Sequence, residues 1–339
     1  MTINLKQLSK LLKLSPTTVS RALADYPDVS AKTRARVKQM AIQQGYQPNP
    51  VARRLQKGKT ETIGIVITPE QNYFSDTFFI DLLSGISNQI TRAGYELILG
   101  VASDEEHEMQ SMRRMVEGKR VDGMILTLIR EQDPRVGYLL DRDFPFVLYG
   151  RTRETRPYAF VDMDGKQAFE KACTYLAGLG HRRIALLNGE PGFMFPVGCR
   201  EGYESGLFLS GLELDPDLIR EWKHKDPSQS SYRWTLELFK NDNPPTAILF
   251  QTEAVNGIFK GLDELKLQPG KDVALIGYDD LEIARIHRPS LSVLRPQARE
   301  AGQRVVNILM EVIKGEDPGK FQEIHQVEMV IRETSLPPS

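Results

Sequence analysis

Leu14-Ser-Pro-Thr-Thr-Val-Ser-Arg-Ala-Leu23 is the stretch that decides how this chain is read. Ser15 can cap a short helix, and Pro16 fits its first turn, where a missing N–H costs nothing. Upstream, Leu5, Leu8, Leu11 and Leu12 recur at helical spacing, and Lys13-Leu14-Ser15 breaks the pattern. Two short helices across a tight turn form a helix-turn-helix, whose second helix enters the major groove of DNA. Val19 and Leu23, four apart, face the small core. Ser15, Pro16, Thr17, Thr18 and Arg21 are left toward the nucleic acid, with Thr17, Arg21 and Thr18 toward base edges. Arginine suits bidentate contact to guanine, and threonine offers a hydroxyl and a methyl. Ser20 suits a phosphate better.

The charge agrees. Residues 1–60 hold 12 Lys and Arg against 2 acids, whereas the rest holds 32 against 43. The overall net charge of −1 therefore hides a basic head on an acidic body, and a polyanion is expected for the head alone. A third helix is expected after Ser30, with Val37, Met40 and Ala41 packed and Gly45 closing it. It should brace the reading helix. Next, Asn49 can cap and Pro50 can start a short segment, Val51 to Gln56, that is too brief to be helical alone in water. It should form a helix only against DNA and a partner copy. Leu55 would wedge into the minor groove, with Ala52 on the same face and Arg53 and Arg54 on phosphates.

With 339 residues, two or three domains are expected. The body alternates apolar runs with helical stretches. Thr62–Ile67, Glu96–Gly100, Val121–Leu128, Phe146–Tyr149 and Phe160–Asp162 read as strands of one unit. Arg183–Leu187, Ile219–Trp222, Ala247–Gln251 and Val273–Gly277 read as strands of a second. Two doubly wound α/β units are the natural parse, with a ligand at the strand C-termini between them. The loops there hold Tyr73, Phe74 and Ser75, then Arg151, Phe195, Arg200, Gln251, Thr252, Glu253 and Asp279. Aromatic faces beside charged, fork-like groups suit a small sugar. Taken singly, Phe74 and Phe195 are more often core than ligand platform, and Asp162 and Asp164 could equally serve as helix caps.

Other classes find no support. No Gly-x-Gly-x-x-Gly or Walker pattern appears, so no cofactor is expected. The five histidines are scattered, no nucleophile elbow occurs, and Asp279 beside Asp280 does not make an acid–base pair, so an enzyme is not expected. Cys173 and Cys199 lack metal-ligand spacing and read as buried small hydrophobes. No apolar run spans a bilayer, and the N-terminus lacks an export signal's core, so a cytoplasmic protein without a membrane partner is expected.

The chain resembles the LacI/GalR family of bacterial transcriptional regulators over essentially its whole length. The resemblance rests on Leu14–Leu23, on Gly45-Tyr-Gln-Pro-Asn-Pro-Val-Ala-Arg-Arg-Leu55, on Lys119-Arg-Val-Asp-Gly123, on Gly180-His-Arg-Arg-Ile184 and on Gly277-Tyr-Asp-Asp280. It implies an α/β fold: a helix-turn-helix headpiece and a two-lobed core, similar to periplasmic binding proteins, of doubly wound parallel sheets. The implied domains are a headpiece at 1–48, a hinge at 49–60, a first lobe at 61–161 with 292–320, and a second at 162–291 with 321–333. In that arrangement Leu291–Pro296 returns to the first lobe and Glu323–Ile331 is the last strand of the second. The resemblance also implies a homodimer on a pseudo-palindromic double-stranded operator. Thr17 and Arg21 would be major-groove readers, Leu55 the intercalating residue, and Arg200 and Asp279 part of the effector cleft.

The chain departs from the family at several places. Lys13 replaces a common glycine, so the turn must bear a side chain. Thr252-Glu253 replaces an Asn-Asp pair, Gly150-Arg151 replaces an aspartate, and no long tetramerising leucine helix follows Ile331. Asp133-Pro-Arg135, Tyr149-Gly-Arg-Thr152 and the Asn188-Gly loop resemble the branch that answers to α-glucosides. The leading expectation is a repressor of a carbohydrate operon with an α-glucoside in the cleft. A purine or other metabolite effector, an activator, and a sugar-binding module without DNA function are the alternatives.

Overall fold

The computed structural model describes residues 3–46, 59–68, 77–222, 227–251 and 254–337. The chain divides into two compact units, Met1–Glu61 and Thr62–Ser339.

In the first unit, Asn4 and Gln7 form a capping box at the start of α1 (Leu5–Leu12). Lys13 ends it in the left-handed region at φ 55°, so the family glycine position does carry a side chain here. Ser15 caps α2 (Pro16–Leu23) by accepting from the Thr18 N–H, and Ser30 caps α3 (Ala31–Gln43). Leu8, Leu12, Val19, Ala22, Val29, Val37 and Ala41 form the core. Leu11, read from spacing alone as part of the apolar stripe, is 53% exposed. Arg36 donates to the Leu12 carbonyl at 3.1 Å, tying α3 to the end of α1.

The second unit contains two six-stranded sheets. The first lobe comprises β1 (Thr62–Ile67), α4 (Thr77–Arg92), β2 (Glu96–Val101), α5 (Glu105–Glu117), β3 (Gly123–Leu126), α6 (Pro134–Leu140), β4 (Phe146–Tyr149) and β5 (Ala159–Met163). The second comprises α7 (Gly165–Gly178), β6 (Ile184–Asn188), α8 (Met194–Leu209), β7 (Ile219–Glu221), α9 (Pro227–Phe239), β8 (Ala247–Gln251), α10 (Val255–Glu264), β9 (Ala274–Tyr278), α11 (Glu282–Ile286) and β10 (Ser292–Arg295). The chain then returns to the first lobe as α12 (Ala298–Ile313) and β11 (Gln322–His325), and ends in the second as β12 (Glu328–Val330).

The first sheet has the order β11-β5-β4-β3-β1-β2 and is wholly parallel. The second has the order β12-β10-β9-β8-β6-β7, parallel except for β12 against β10. Strands buried on both faces, such as β1 and β9, are near-continuous apolar runs because helices cover both sides. One apolar core is contiguous across the inner helices of both lobes, and each lobe adds a second cluster on its outer face.

Two crossing points differ from the expected ones. Ser292–Arg295 pairs with β9 of the second sheet, so the chain crosses at Pro296, after β10. The run expected to be one final strand is two. Gln322–His325 lies beside β5 of the first sheet and Glu328–Val330 beside β10 of the second. An unbroken stretch of strand-competent residues carries no mark of the two residues that cross between lobes. The tail after Ile331 packs on the second lobe. Thr334 and Ser335 are buried, and the Leu275 N–H donates to the Thr334 carbonyl at 2.6 Å.

Candidate functional site

On the head, Thr17 and Arg21 are exposed on α2, while Thr18 and Ser20 are half-buried. The Ser15 and Thr18 hydroxyls lie 2.8 Å apart, so Thr18 helps to close the cap. Pro16 occupies the first turn of α2 as expected. Arg21 is held on its own unit: Nη2 lies 2.8 Å from Asp28 Oδ2, and the guanidinium carbon 4.8 Å from the centre of the Tyr26 ring. Asn49, Ala52, Arg53, Arg54 and Leu55 lie outside the described residues.

In the second unit a cavity of about 420 Å³ opens at the strand C-termini of both sheets. That is where doubly wound folds place ligands, and the volume suits a small molecule. Its aromatic lining includes Phe78, Tyr149, Phe193, Phe195, Trp222 and Tyr278. Phe195 meets Tyr278 edge-on at 4.6 Å, and Tyr149 lies 5.8 Å from Phe78. Such rings give the apolar face of a sugar, or a planar base, a platform.

Charged groups stand among these rings. Arg151 Nε donates to Asp162 Oδ2 at 2.5 Å. Burial lifts the Asp162 carboxyl above its ordinary value, with Arg151 pulling the other way. Gly150, at φ 110°, makes the turn that aims Arg151, and a Cβ there would also press on Ile129. Asp279 sits at φ 83°, an uncommon conformation for a side-chain-bearing residue, fixed by its N–H on the Leu294 carbonyl at 2.8 Å. Gln251 donates to Asn188 at 3.1 Å, and Asn188 to the Pro196 carbonyl at 2.9 Å, which locks the amides at the ends of β8 and β6.

The loop after β3 is shaped by a buried ion cluster. Arg135 lies 2.6 Å from both Glu108 and Asp133, and all three are buried. Its Nη2 also donates to the carbonyl of Leu128, at 2.9 Å, and Leu128 holds φ 48°. Left-handed backbone costs about 1–2 kcal/mol for such a residue, so the cluster sustains a strained loop at the cavity edge. Asp133-Pro-Arg135 thus has a physical role: a cap, a first-turn proline and the central cation of the cluster.

Loops of the two lobes meet at the same edge. Glu131 N–H donates to the Gly192 carbonyl and Met194 N–H to the Ile129 carbonyl, both at 2.9 Å. The Arg130 guanidinium lies 5.6 Å from the centre of the Phe193 ring.

Of the effector residues expected from sequence, Arg151, Phe195 and Asp279 line this cavity. Arg200 does not. Its guanidinium is engaged 2.9 Å from Glu204, one turn along α8, and 3.3 Å from Glu221. Phe195, expected in a loop, lies in the first turn of α8, where Pro196 is tolerated, and Phe193 precedes that helix as its N-cap. Tyr73, Phe74, Ser75, Thr252 and Glu253 lie outside the described residues. The ambiguity at 162 and 164 resolves into two roles: Asp164 caps α7, and Asp162 faces the cavity as the partner of Arg151. Sequence reasoning missed Arg130, Phe193, Trp222 and Tyr278 as lining residues. Tyr278 ends β9 and Trp222 follows β7, so position alone marked them, whereas Arg130 and Phe193 lie further along the loops after β3 and β6. Cys173 and Cys199 are free and buried, as expected. Among the described residues no helix is long and apolar enough to cross a membrane.

A wider hollow of about 640 Å³ lies elsewhere on the second lobe, between Phe259, Lys271, Arg288 and the tail residues Glu333 and Leu336. Its lining holds one aromatic ring, Phe259, in place of the cleft's converging rings, with Asp263 and Glu333 as its acids.

Residues 4–49 match the family model described as bacterial regulatory proteins, lacI family, and residues 173–335 match a periplasmic binding protein-like domain. The chain is 35% identical to the HTH-type transcriptional regulator AglR of Rhizobium meliloti (strain 1021), over 99% of this chain and 95% of that one. It is 32% identical to the HTH-type transcriptional regulator RafR of Escherichia coli, over 94% and 95% of the two chains. The fold matches that of the lac repressor dimer bound to operator and the anti-inducer ONPF, with a TM-score of 0.86 at 22% identity, covering 99% of this chain and 100% of that one.

Proposed function

This chain belongs to the lacI family of bacterial regulatory proteins, and on that premise we propose that it is a repressor of a carbohydrate-utilisation operon released or recruited by a sugar, an α-glucoside, in the interlobe cleft. The relatives that define the family here are named as transcriptional regulators. One observation carries the effector half of the reading: a single cavity unites converging aromatic rings with the Arg151–Asp162 pair, Gln251 and Asp279. Rings against apolar sugar faces and carboxylates against hydroxyls are the chemistry of carbohydrate recognition. The aromatic lining favours one second reading, a purine stacked between rings.

In the proposed mechanism the protein is a homodimer on a pseudo-palindromic operator. Ser15, Pro16, Thr17, Thr18, Ser20 and Arg21 contact the major groove and its phosphates. The hinge at 49–60 supplies Asn49, Ala52, Arg53, Arg54 and the wedge Leu55 to the minor groove. Tyr73, Phe74, Ser75, Thr252 and Glu253, outside the described residues, are proposed as further effector contacts. The effector acts because its affinity differs between two lobe arrangements, which differ in whether the paired hinges can form. The proposed division keeps a headpiece at 1–48 and a hinge at 49–60; within the core the chain exchanges sheets after β5, β10 and β11.

A thermal-shift panel of α-glucosides, β-glucosides and purines on the full chain tests the effector. A ligand selective for the folded state raises the melting temperature. A shift confined to α-glucosides supports the reading, a shift confined to purines replaces it, and silence across the panel removes the sugar assignment.

A further inference from the structure

We infer that Asp28 is a positioning residue for DNA readout, holding Arg21 so that one edge of its guanidinium is presented to a base. The inference rests on the proposed role of Arg21 as a base reader. Arg21 Nε donates to Asp28 Oδ1 at 3.3 Å, and Nη2 lies 2.8 Å from Oδ2. The Tyr26 ring covers the guanidinium face, 4.8 Å from its central carbon. Carboxylate and ring together fix both the tilt and the rotation of the fork. The pair uses the Nε–Nη2 edge and leaves the Nη1–Nη2 edge for the O6 and N7 of a guanine.

Charge makes this placement informative. Residues 1–60 contain only two acids, Asp25 and Asp28. Asp25 lies 2.7 Å from Lys38 of α3, and Asp28 is within bonding distance of the reading helix itself. An acid there repels phosphate on every DNA sequence. What it can return is orientation, which favours one base over others: discrimination gained at the expense of affinity. The side chains are 45% and 54% exposed, so in free protein the pair is weak, worth at most about a fivefold bias. Excluding water on docking strengthens it.

The test is selection from a pool of randomised duplexes by the full-length protein and by Arg21→Ala, Asp28→Asn, Asp28→Glu and the Arg21→Ala/Asp28→Asn double variant. Arg21→Ala is expected to flatten preference at one position of each half-site. Asp28→Asn should weaken preference at that same position by about fivefold while raising affinity for unrelated DNA, and Asp28→Glu should restore part of the preference. In the double variant the second change should leave preference as Arg21→Ala alone does. If Asp28→Asn strengthens binding to all duplexes equally and leaves that position intact, Asp28 is only a repelling charge and the inference falls, with Arg21 still a reader. If Arg21→Ala leaves every preference unchanged, the reading of Arg21 fails first, and the role of Asp28 with it.

Discussion

Arg151 and Asp162 meet at 2.5 Å because adjacent parallel strands deliver them to one corner of the cleft. Tyr149 of β4 is in register with Val161 of β5; Asp162 follows Val161 directly, and Arg151 follows Tyr149 by two residues, across Gly150. The ion pair braces the lobe and presents fork and carboxylate together to a ligand, two functions with different consequences on mutation.

Asp162→Asn is expected to weaken binding of whichever ligand the thermal panel identifies by about 10- to 100-fold, the loss of a charged hydrogen bond. Headpiece folding should be unaffected. Titration calorimetry on wild type and variant measures it. Unchanged affinity would leave the pair a brace and nothing more.

Arg135→Met should destabilise the second unit by about 3–5 kcal/mol, because it removes the central cation from buried Glu108 and Asp133 and leaves them only their contacts with Arg130 and the loop backbone. The measurement is the urea midpoint of the second transition. Burial alone would raise the Asp133 carboxyl, but hydrogen bonding to Arg135, its charge and the Arg130 N–H overcome it and hold the group below the ordinary value of 3.8. A depressed carboxylate contributes stability above its unfolded value and loses it as pH falls through the folded one. Wild type should therefore lose this contribution only below about pH 4.

His181 has the opposite pH signature. Its Nε2 lies 2.9 Å from the Leu336 carbonyl, which can only accept, so Nε2 carries the proton and Nδ1 accepts from the Thr246 hydroxyl. Burial lowers its value below the ordinary 6.5. The folded state prefers neutral imidazole, so this contribution is full above 6.5 and is lost as pH falls below it. His181→Asn should be less stable near neutrality by about 1–3 kcal/mol. Its stability should also change less between about pH 7 and about pH 5, as read from denaturant midpoints. An unaltered pH slope would mean the histidine does not titrate on folding.

Lys13→Gly should stabilise the headpiece by about 1 kcal/mol, since φ 55° suits glycine and strains lysine. Amide exchange of α1 and α2 in the full chain reports this directly. Faster exchange would show that the lysine makes contacts worth more than the strain.

The alternation of apolar runs and helical stretches made both lobes legible, because parallel strands need unbroken hydrophobic runs. Capping chemistry marked the head equally well: Ser15, Pro16 and Ser30 each stand where their side chains dictate. Two kinds of feature were not legible. Which sheet a strand joins depends on partners far away in sequence, so Ser292–Arg295 and Gln322–His325 were assigned to the wrong lobes. A charged residue's destination also depends on its neighbours in space. Arg200 looked like a cleft arginine but found two glutamates, whereas Asp162, equally suited to a cap, found Arg151.

The most direct test of the account is operator affinity against effector concentration. Full-length protein is titrated onto the duplex that it selects, with and without a saturating concentration of the sugar that stabilises it. The account predicts that the sugar changes operator affinity by about 5- to 150-fold, in one direction, the usual range of allosteric coupling. A sugar that binds the protein yet leaves operator affinity unchanged would contradict the claim that the cleft controls the head.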